Sequence, residues 1–204
     1  WFLENLTENK KQFVDGAKRL VDIALAVILL IPAAVLLPFI ALFIKIESAG
    51  SVFFRQKRVG RRGQLFDFIK FRSMIDGADR MSGLKAGAEG RVTKIGKFLR
   101  RSYIDELGQI INVFKGEMSF IGPRPERPEF VEVLDKKVPF YRMRLLVRPG
   151  ITGLAQVSMD YDASVEDAQE KLQYDLYYIK NRSLLLDLSI MLKTIPTILS
   201  RSGR

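Results

Sequence analysis

The sequence predicts an α+β protein that is mostly helical and carries one membrane-inserted helix near its start. Residues 23–44 contain no charged side chain, and a straight helix of that length, about 33 Å, could cross a bilayer. Residues 52–54 and 64–71 are rich in Phe, Val and Ile and flank a glycine-containing turn, which predicts a short β-hairpin. We expect a lead-in (1–19), a membrane helix (20–47) and a main domain on the membrane face (48–204).

Composition narrows the chemistry before any motif is considered. The chain has 33 Lys and Arg against 23 Asp and Glu, a net charge of +10, which favours nucleic acid, an anionic bilayer or a phosphorylated substrate as partner. It has no Cys and no His. Disulfides, thiolate or imidazole catalysis and His-containing zinc sites are therefore excluded. Any catalysis must use carboxylates, Lys, Arg, Tyr, hydroxyls or a metal held by oxygen ligands.

The apolar run has three interpretations: a transmembrane span, a re-entrant helix and a buried helix in a soluble core, which is the weakest because such a helix normally shows a polar stripe. Its length alone favours a span, but Pro32 and Pro38 lie within it and are expected to break or kink a helix. Basic residues flank both ends, whereas a span normally shows a basic bias at one end. These features favour a re-entrant helix that returns to the same face. A signal peptide does not fit, because the run is too long and no small-residue cleavage site follows it.

The rest of the chain predicts short helices separated by rigid turns. A glycine-rich loop covers 75–91, a basic helix 94–101, and a second helix 103–115 that stops at Gly116. Residues 116–128 are irregular, and 154–157 predict a short strand. Ser164 to Asp167 form a capping-box pattern that opens a helix reaching residue 181. The final apolar helix, 184–199, either packs in the core or lies as an amphipathic helix in the bilayer interface.

The adjacent carboxylates Asp105 and Glu106 are the first candidates for chemistry. Taken alone, the pair is explained by a capping box with Ser102 and by the helix dipole. In the functional interpretation, a helix N-terminus holds phosphate and the two carboxylates hold a Mg²⁺ that bridges to it. One carboxylate can then attack phosphorus, with Arg100 and Arg101 close enough in sequence to neutralise the transferred group.

Two arginines lie in stiff loops. Arg124 stands between Pro123 and Pro125, and Arg148 precedes Pro149 and Gly150. Restricted backbone suits a planar guanidinium aimed at phosphate. The alternative for both is a structural turn with a surface arginine.

Several motifs occur in order and together resemble the bacterial sugar transferase family, the monotopic phosphoglycosyl transferases. The resemblance covers residues 17–202. The motifs are Lys18-Arg19-x-x-Asp22 before the apolar run, Phe54-x-Gln56-x-Arg58-x-Gly60, Lys70-Phe71-Arg72-Ser73-Met74, Ser102-x-x-Asp105-Glu106-Leu107, Asn112-Val113-x-Lys115-Gly116 leading to Gly122-Pro123-Arg124-Pro125, and Arg148-Pro149-Gly150-Ile151-Thr152-Gly153-x-x-Gln156-Val157.

The resemblance implies a function and a location. Family members sit on the cytoplasmic face of the bacterial inner membrane and move a sugar phosphate from a UDP-sugar to polyprenyl phosphate, the first membrane step of surface polysaccharide assembly. It implies that Asp105 is the nucleophile, that UMP leaves first, and that Glu106 and Mg²⁺ assist. It also places Arg100, Arg124 and Arg148 around the phosphates.

The sequence departs from the family pattern at two places and leaves two rival functions. Gly108 stands where the family commonly has Pro, and two prolines bracket the place where one usually breaks the membrane helix. Residues 126–157 are more similar to larger members, and the start at Trp1 suggests a fragment of a longer chain. The rivals are a non-enzymatic basic membrane scaffold and a nucleic-acid binder, and the latter lacks any recognised motif. Homo-oligomerisation stays open.

Overall fold

The computed structural model describes residues 2–75, 77–78, 91–159 and 164–201, with side chains described from residue 12 to residue 198. In chain order the elements are α1 (Phe2–Glu47), β1 (Phe53–Val59), β2 (Leu65–Phe71), α2 (Lys94–Arg101), α3 (Gln109–Lys115), β3 (Ser119–Ile121), α4 (Pro128–Lys137), β4 (Gly150–Thr152), α5 (Leu154–Ser158), α6 (Val165–Asn181) and α7 (Leu184–Arg201). Short 3₁₀ turns cover Arg61–Gly63, Ile104–Gly108 and Tyr141–Leu146. The predicted mostly helical α+β class with a two-stranded hairpin is confirmed.

Helix α1 is one continuous element that contains both the lead-in and the apolar run. Pro32 and Pro38 lie inside it, and the helix continues through both; neither proline ends the helix, and the re-entrant placement stays a prediction. Each proline removes one backbone donor, but its fixed φ is compatible with a helix. The segment Gln12–Glu47 is long and apolar enough to cross a membrane, by length and composition.

Both ends of the apolar run of α1 pack on the main domain. Near its start, Arg19 donates to the carbonyls of Val113 and Phe114, and buried Asp22 accepts from the Phe120 amide. At its other end, Glu47 accepts from the first amides of α2. Between these contacts most side chains are exposed and apolar. The apolar run is therefore held at both of its ends and left mostly uncovered between them.

The hairpin forms as predicted, although β1 extends well past the expected residues. β1 and β2 pair antiparallel from Phe53 opposite Phe71 to Val59 opposite Leu65. The buried face of β2 contributes Phe66 and Phe68 to a core cluster. The other members of that cluster come from α1, α3 and the turn after α3: Ala26, Ile110, Val113 and Met118.

A short parallel pair, β3 with β4, replaces the strand expected at 154–157. Ser119 pairs with Gly150, and Ile121 with Thr152, whereas 154–157 lie in α5. Leu, Ala and Gln are good helix formers, and this local preference prevails there. β3 falls within the stretch expected to be irregular, and the loop that carries Arg124 leaves its end.

The capping box at α6 is confirmed, since the Ser164 hydroxyl accepts from the Asp167 amide and the Asp167 carboxylate accepts from the Ser164 amide. The final helix begins at Leu184 as expected. Most of the predicted loop at 75–91 lies outside the described residues.

The close approach of β3 and β4 predicts that alanine at Gly150 destabilises the fold, whereas alanine at the open position Gly16 of α1 does not. A Cβ on Gly150 would overlap the backbone of Gly122, whereas a Cβ on Gly16 of α1 would meet nothing within 4 Å. Gly150→Ala should therefore lower the free energy of unfolding by about 1–3 kcal/mol or more. Gly16→Ala should raise it by about 0.5–1 kcal/mol. Thermal unfolding of both variants in detergent measures this, and equal melting temperatures would contradict the close approach.

Candidate active site

The carboxylates Asp105 and Glu106 lie in a 3₁₀ turn that separates α2 from α3. The helix predicted over 103–115 is thus split, and the predicted capping box is wrong. Ser102 donates its hydroxyl back to the carbonyls of α2, and Tyr103, at φ 57, precedes the turn in a left-handed conformation. Since the pair caps no α-helix, the capping interpretation no longer accounts for it.

Glu106 is the meeting point of three separate segments. Its Oε1 accepts from the Lys70 ammonium of β2 at 2.7 Å and from the Arg124 guanidinium at 3.0 Å. The Lys70 nitrogen also lies 3.7 Å from the Asp105 Oδ2. Lys70 therefore lies near both carboxylates, whereas Arg124 pairs with Glu106.

This arrangement gives the two carboxylates opposite pKa shifts. Burial raises the pKa of Asp105 above its usual range, and the nearby negative charge of Glu106 adds to the rise, although Lys70 and Arg100 oppose it. Burial also acts on Glu106, but there Arg124 and Lys70 outweigh it and lower the pKa to about 2. Glu106 is hence permanently ionised, and Asp105 is the more basic carboxylate of the pair. We call Asp105 and Glu106 the dyad.

The predicted phosphate-binding arginines do not all lie together. Arg124 contacts the dyad directly, and Arg100 donates to the Ser73 hydroxyl at 2.8 Å while acting electrostatically on Asp105. Arg148 lies elsewhere, where it donates to the Gly116 carbonyl at 3.1 Å and lines a different small cavity. The prediction that Arg148 binds the substrate phosphates gains no support from this placement.

A buried ionic network fixes the loop that presents Arg124. The Arg144 guanidinium, 3% exposed, donates to the Arg124 carbonyl at 3.0 Å and to Asp175 of α6. Glu126, next along the loop, accepts from Lys171 at 2.6 Å. The loop is thereby tied to α6 directly by the Glu126–Lys171 pair and indirectly through Arg144, and Arg124 has little freedom to leave Glu106.

A cavity of about 570 Å³ adjoins the dyad and combines charged with apolar lining. The polar lining residues are Glu106, Arg124, Tyr103, Thr152, Gln156, Lys171, Thr194 and Thr197. The others are apolar and come from several elements, including α1 and α7: Leu29, Leu107, Ile110, Phe120, Ile151, Ala155, Val157, Met159 and Ile198. Such a cavity can accept a ligand that is anionic at one part and hydrocarbon at another.

The sequence analysis missed Lys70, Thr152 and Lys171 as site residues. Lys70 had a signal, because it is a lone cation between the buried residues Ile69 and Phe71 of β2, where an unpaired charge would be costly. Lys171 is placed by the fold alone and had no local signal.

The sequence predicts that Asp105 and Glu106 hold a Mg²⁺, and their carboxylate oxygens are the candidate ligands. Among the described residues, no group of three or more Asp, Glu, Cys or His side chains could form a complete metal cage. Asp105 and Glu106 nevertheless fit the usual Mg²⁺ site, in which one or two carboxylates act together with substrate phosphates. The donor set suits an ion that arrives with the substrate.

Comparison with known proteins decides the family. The family model described as bacterial sugar transferase matches residues 13–201. The chain belongs to the bacterial sugar transferase family.

Curated relatives of this family cover nearly all of the chain. It is 47% identical over 91% of its length to an Aeromonas hydrophila protein named UDP-N-acetylgalactosamine-undecaprenyl-phosphate N-acetylgalactosaminephosphotransferase, and spans 44% of that protein. It is 40% identical over 92% of its length to a Caulobacter vibrioides UDP-glucose:undecaprenyl-phosphate glucose-1-phosphate transferase, and spans 71% of it. It is 36% identical over 92% of its length to the Exopolysaccharide production protein ExoY of Sinorhizobium fredii, and spans 87% of it.

The charge arrangement at the dyad predicts a pH effect in this sugar transferase. An activity that requires the ionised form of Asp105 should fall as the pH drops through the pKa of Asp105. Lys70 lowers that pKa; Lys70→Gln should raise it and move the acid limb of the pH–rate profile to higher pH. Glu106, with a pKa of about 2, contributes nothing to this limb.

The matched control is Lys57→Gln on the neighbouring strand. Lys57 is exposed and pairs with Asp67 at 2.9 Å, away from the dyad, so its acid limb should coincide with that of the wild type. An unchanged limb in Lys70→Gln would show that Lys70 does not act on the titrating carboxylate.

Proposed function

We propose that this chain is a phosphoglycosyl transferase that moves a sugar 1-phosphate from a UDP-sugar to polyprenyl (undecaprenyl) phosphate and releases UMP. One observation carries the proposal: Glu106 and Arg124 line a cavity whose other lining is largely apolar and includes Leu29 of α1, and Asp105, directly before Glu106, has the opposite pKa shift. The names of the Aeromonas and Caulobacter relatives support this class of donor and acceptor.

Asp105 is the proposed nucleophile. Its carboxylate oxygen attacks the sugar-linked phosphorus, the bond from that phosphorus to the UMP oxygen breaks, and UMP leaves with the electron pair. A phosphate oxygen of the polyprenyl phosphate then attacks the same phosphorus and displaces Asp105. Asp105 suits this role better than Glu106, because its raised pKa makes it the stronger nucleophile, while Glu106 is held by two cations.

The surrounding cations stabilise charge during both displacements. Arg124 and Lys70 are preorganised at Glu106, within reach of a phosphoryl group held at Asp105. Arg100, anchored on Ser73, adds a third positive charge near the reacting carboxylate. When bound, Mg²⁺ held by Asp105 and Glu106 would supply further neutralisation of the diphosphate.

The apolar part of the cavity is the proposed site of the acceptor chain. Leu29 of the membrane helix and Ile198 of α7 both line it, so a hydrocarbon chain can pass from the bilayer toward the dyad without crossing water. The nucleotide approaches from the aqueous side, which we take to be the cytoplasm.

The contacts of α1 support a re-entrant, monotopic placement on the cytoplasmic face of the bacterial inner membrane. Arg19 and Glu47 bracket the apolar run and both bond to the same main domain. A transmembrane span would put these two ends on opposite sides of the bilayer. The rival scaffold function leaves the cation-flanked dyad without a role.

Substitution of the nucleophile tests the reaction. In detergent with Mg²⁺, polyprenyl phosphate and a panel of UDP-sugars, Asp105→Asn should lower the rate of UMP release by about 10⁴-fold or more. Asp67→Asn, at an exposed carboxylate of β2, should leave the rate unchanged. Near-normal release by a folded Asp105→Asn protein would rule out this nucleophile, and the panel identifies the sugar.

Replacement of Arg124 tests the electrostatic role. Lysine keeps the charge but loses the planar fork, so Arg124→Lys should lower the rate of UMP release by about 10²–10³-fold. Arg127→Lys, three residues further along, is the control, because Arg127 pairs with Glu129 and stacks on Phe130 outside the site. If the rate and the KM for the UDP-sugar were normal in Arg124→Lys, Arg124 would have no phosphate role.

A further inference from the structure

Four cations surround a small cavity on the side of α1 where the apolar run begins. Lys18, Arg61, Arg148 and Arg182 line it together with one carboxylate, Asp15. Lys18 pairs with Asp187 and is also within electrostatic range of Asp22. The set of four cations and Asp15, which we call the basic cluster, has more positive than negative side chains in the lining of the cavity.

The basic cluster is assembled by the fold from four distant parts of the sequence. Asp15 accepts from Arg182 at 2.9 Å and lies 3.6 Å from Arg61. Arg148 is anchored through its Nε on the Gly116 carbonyl. Burial and the like charges of Arg148 and Arg182 lower the pKa of Arg61, which shows that the cations are close enough to repel one another. An arrangement of this kind favours an added anion.

The position of the basic cluster indicates which anion. Directly after Lys18 and Arg19, α1 exposes Leu20 and Val21, which are 71% and 44% accessible. Directly after Arg182, α7 begins with Leu184 and exposes Leu185, which is 80% accessible. The apolar run of α1 and the helix α7 therefore both begin beside the basic cluster, and basic residues at the start of an exposed apolar helix are typical of the lipid headgroup level.

We propose that the basic cluster is a binding site for the phosphate of an anionic lipid headgroup. Arg61, Arg148 and Arg182 contact the phosphate, and the lipid tails lie along the exposed faces of α1 and α7. The bound headgroup sets the depth at which α1 enters the bilayer. This inference rests on the membrane placement proposed above and does not depend on the reaction at Asp105.

Lipid binding by the intact protein tests the site. Protein in a neutral detergent is titrated with phosphatidylglycerol, with phosphatidylcholine and with inorganic phosphate, and bound lipid is counted by native mass spectrometry. Phosphatidylglycerol should bind more tightly than phosphatidylcholine. Arg61→Gln and Arg182→Gln should each weaken phosphatidylglycerol binding by about fivefold and leave phosphatidylcholine binding unchanged.

Two further variants separate the site from misfolding and from bulk charge. Asp15→Asn removes a competing carboxylate and should tighten phosphatidylglycerol binding, an effect that damage to the fold cannot produce. Lys136→Gln, at an exposed cation of α4, removes the same charge outside the basic cluster and should change nothing. Equal losses in Lys136→Gln and Arg61→Gln, or no effect of Asp15→Asn, would overturn the proposal.

Two more measurements distinguish a lipid headgroup site from a general phosphate site and from the reaction at the dyad. Inorganic phosphate that bound as tightly as the lipid, with the same dependence on Arg61, would overturn the assignment to a lipid headgroup. Asp105→Asn should retain full phosphatidylglycerol binding. Lipid binding without UMP release from any UDP-sugar would contradict the proposed reaction and leave the headgroup site standing.

Discussion

A single shared carboxylate organises the catalytic part of this molecule. Glu106 accepts from Lys70 and from Arg124, and thereby holds together β2, the 3₁₀ turn and the loop after β3. Partly buried charges are stable only when they are paired. None of the three segments can move away without leaving such a charge uncompensated, so the geometry around the neighbouring Asp105 is fixed before any substrate arrives.

The contact of Arg124 with Glu106 also makes the two adjacent carboxylates chemically different. In sequence, Asp105 and Glu106 are nearly equivalent carboxylates, and local propensity gives no reason to separate them. The fold places Arg124 on Glu106 and leaves Asp105 to burial, which drives the two pKa values apart. Divergent pKa values in neighbouring acids are a recognised way to assign different chemical roles. Long-range contacts produce the difference between the two pKa values, whereas the sequence motif determines only that two carboxylates are adjacent.

This distinction between local and long-range contacts determines which features could be predicted from the sequence. The hairpin and the α6 capping box follow from local patterns and are confirmed, and the motifs around the dyad were sufficient to recognise the family. The parallel pairing of β3 with β4 and the contact of Lys70 with Glu106 depend on segments distant in sequence. Arg148 illustrates the limit, because a rigid Arg-Pro-Gly turn predicts a presented guanidinium without indicating what it faces.

The membrane helix and the dyad are connected through one short element. Helix α3 begins directly after the 3₁₀ turn that carries Asp105, and its last carbonyls accept from Arg19 of α1. The same α1 lines the cavity through Leu29. The proposed reaction between a water-soluble donor and a lipid acceptor needs Asp105 at a defined height above the hydrocarbon. Because α3 accepts from Arg19 of α1 at one end and follows Asp105 at the other, the position of Asp105 relative to α1 is set by this short helix.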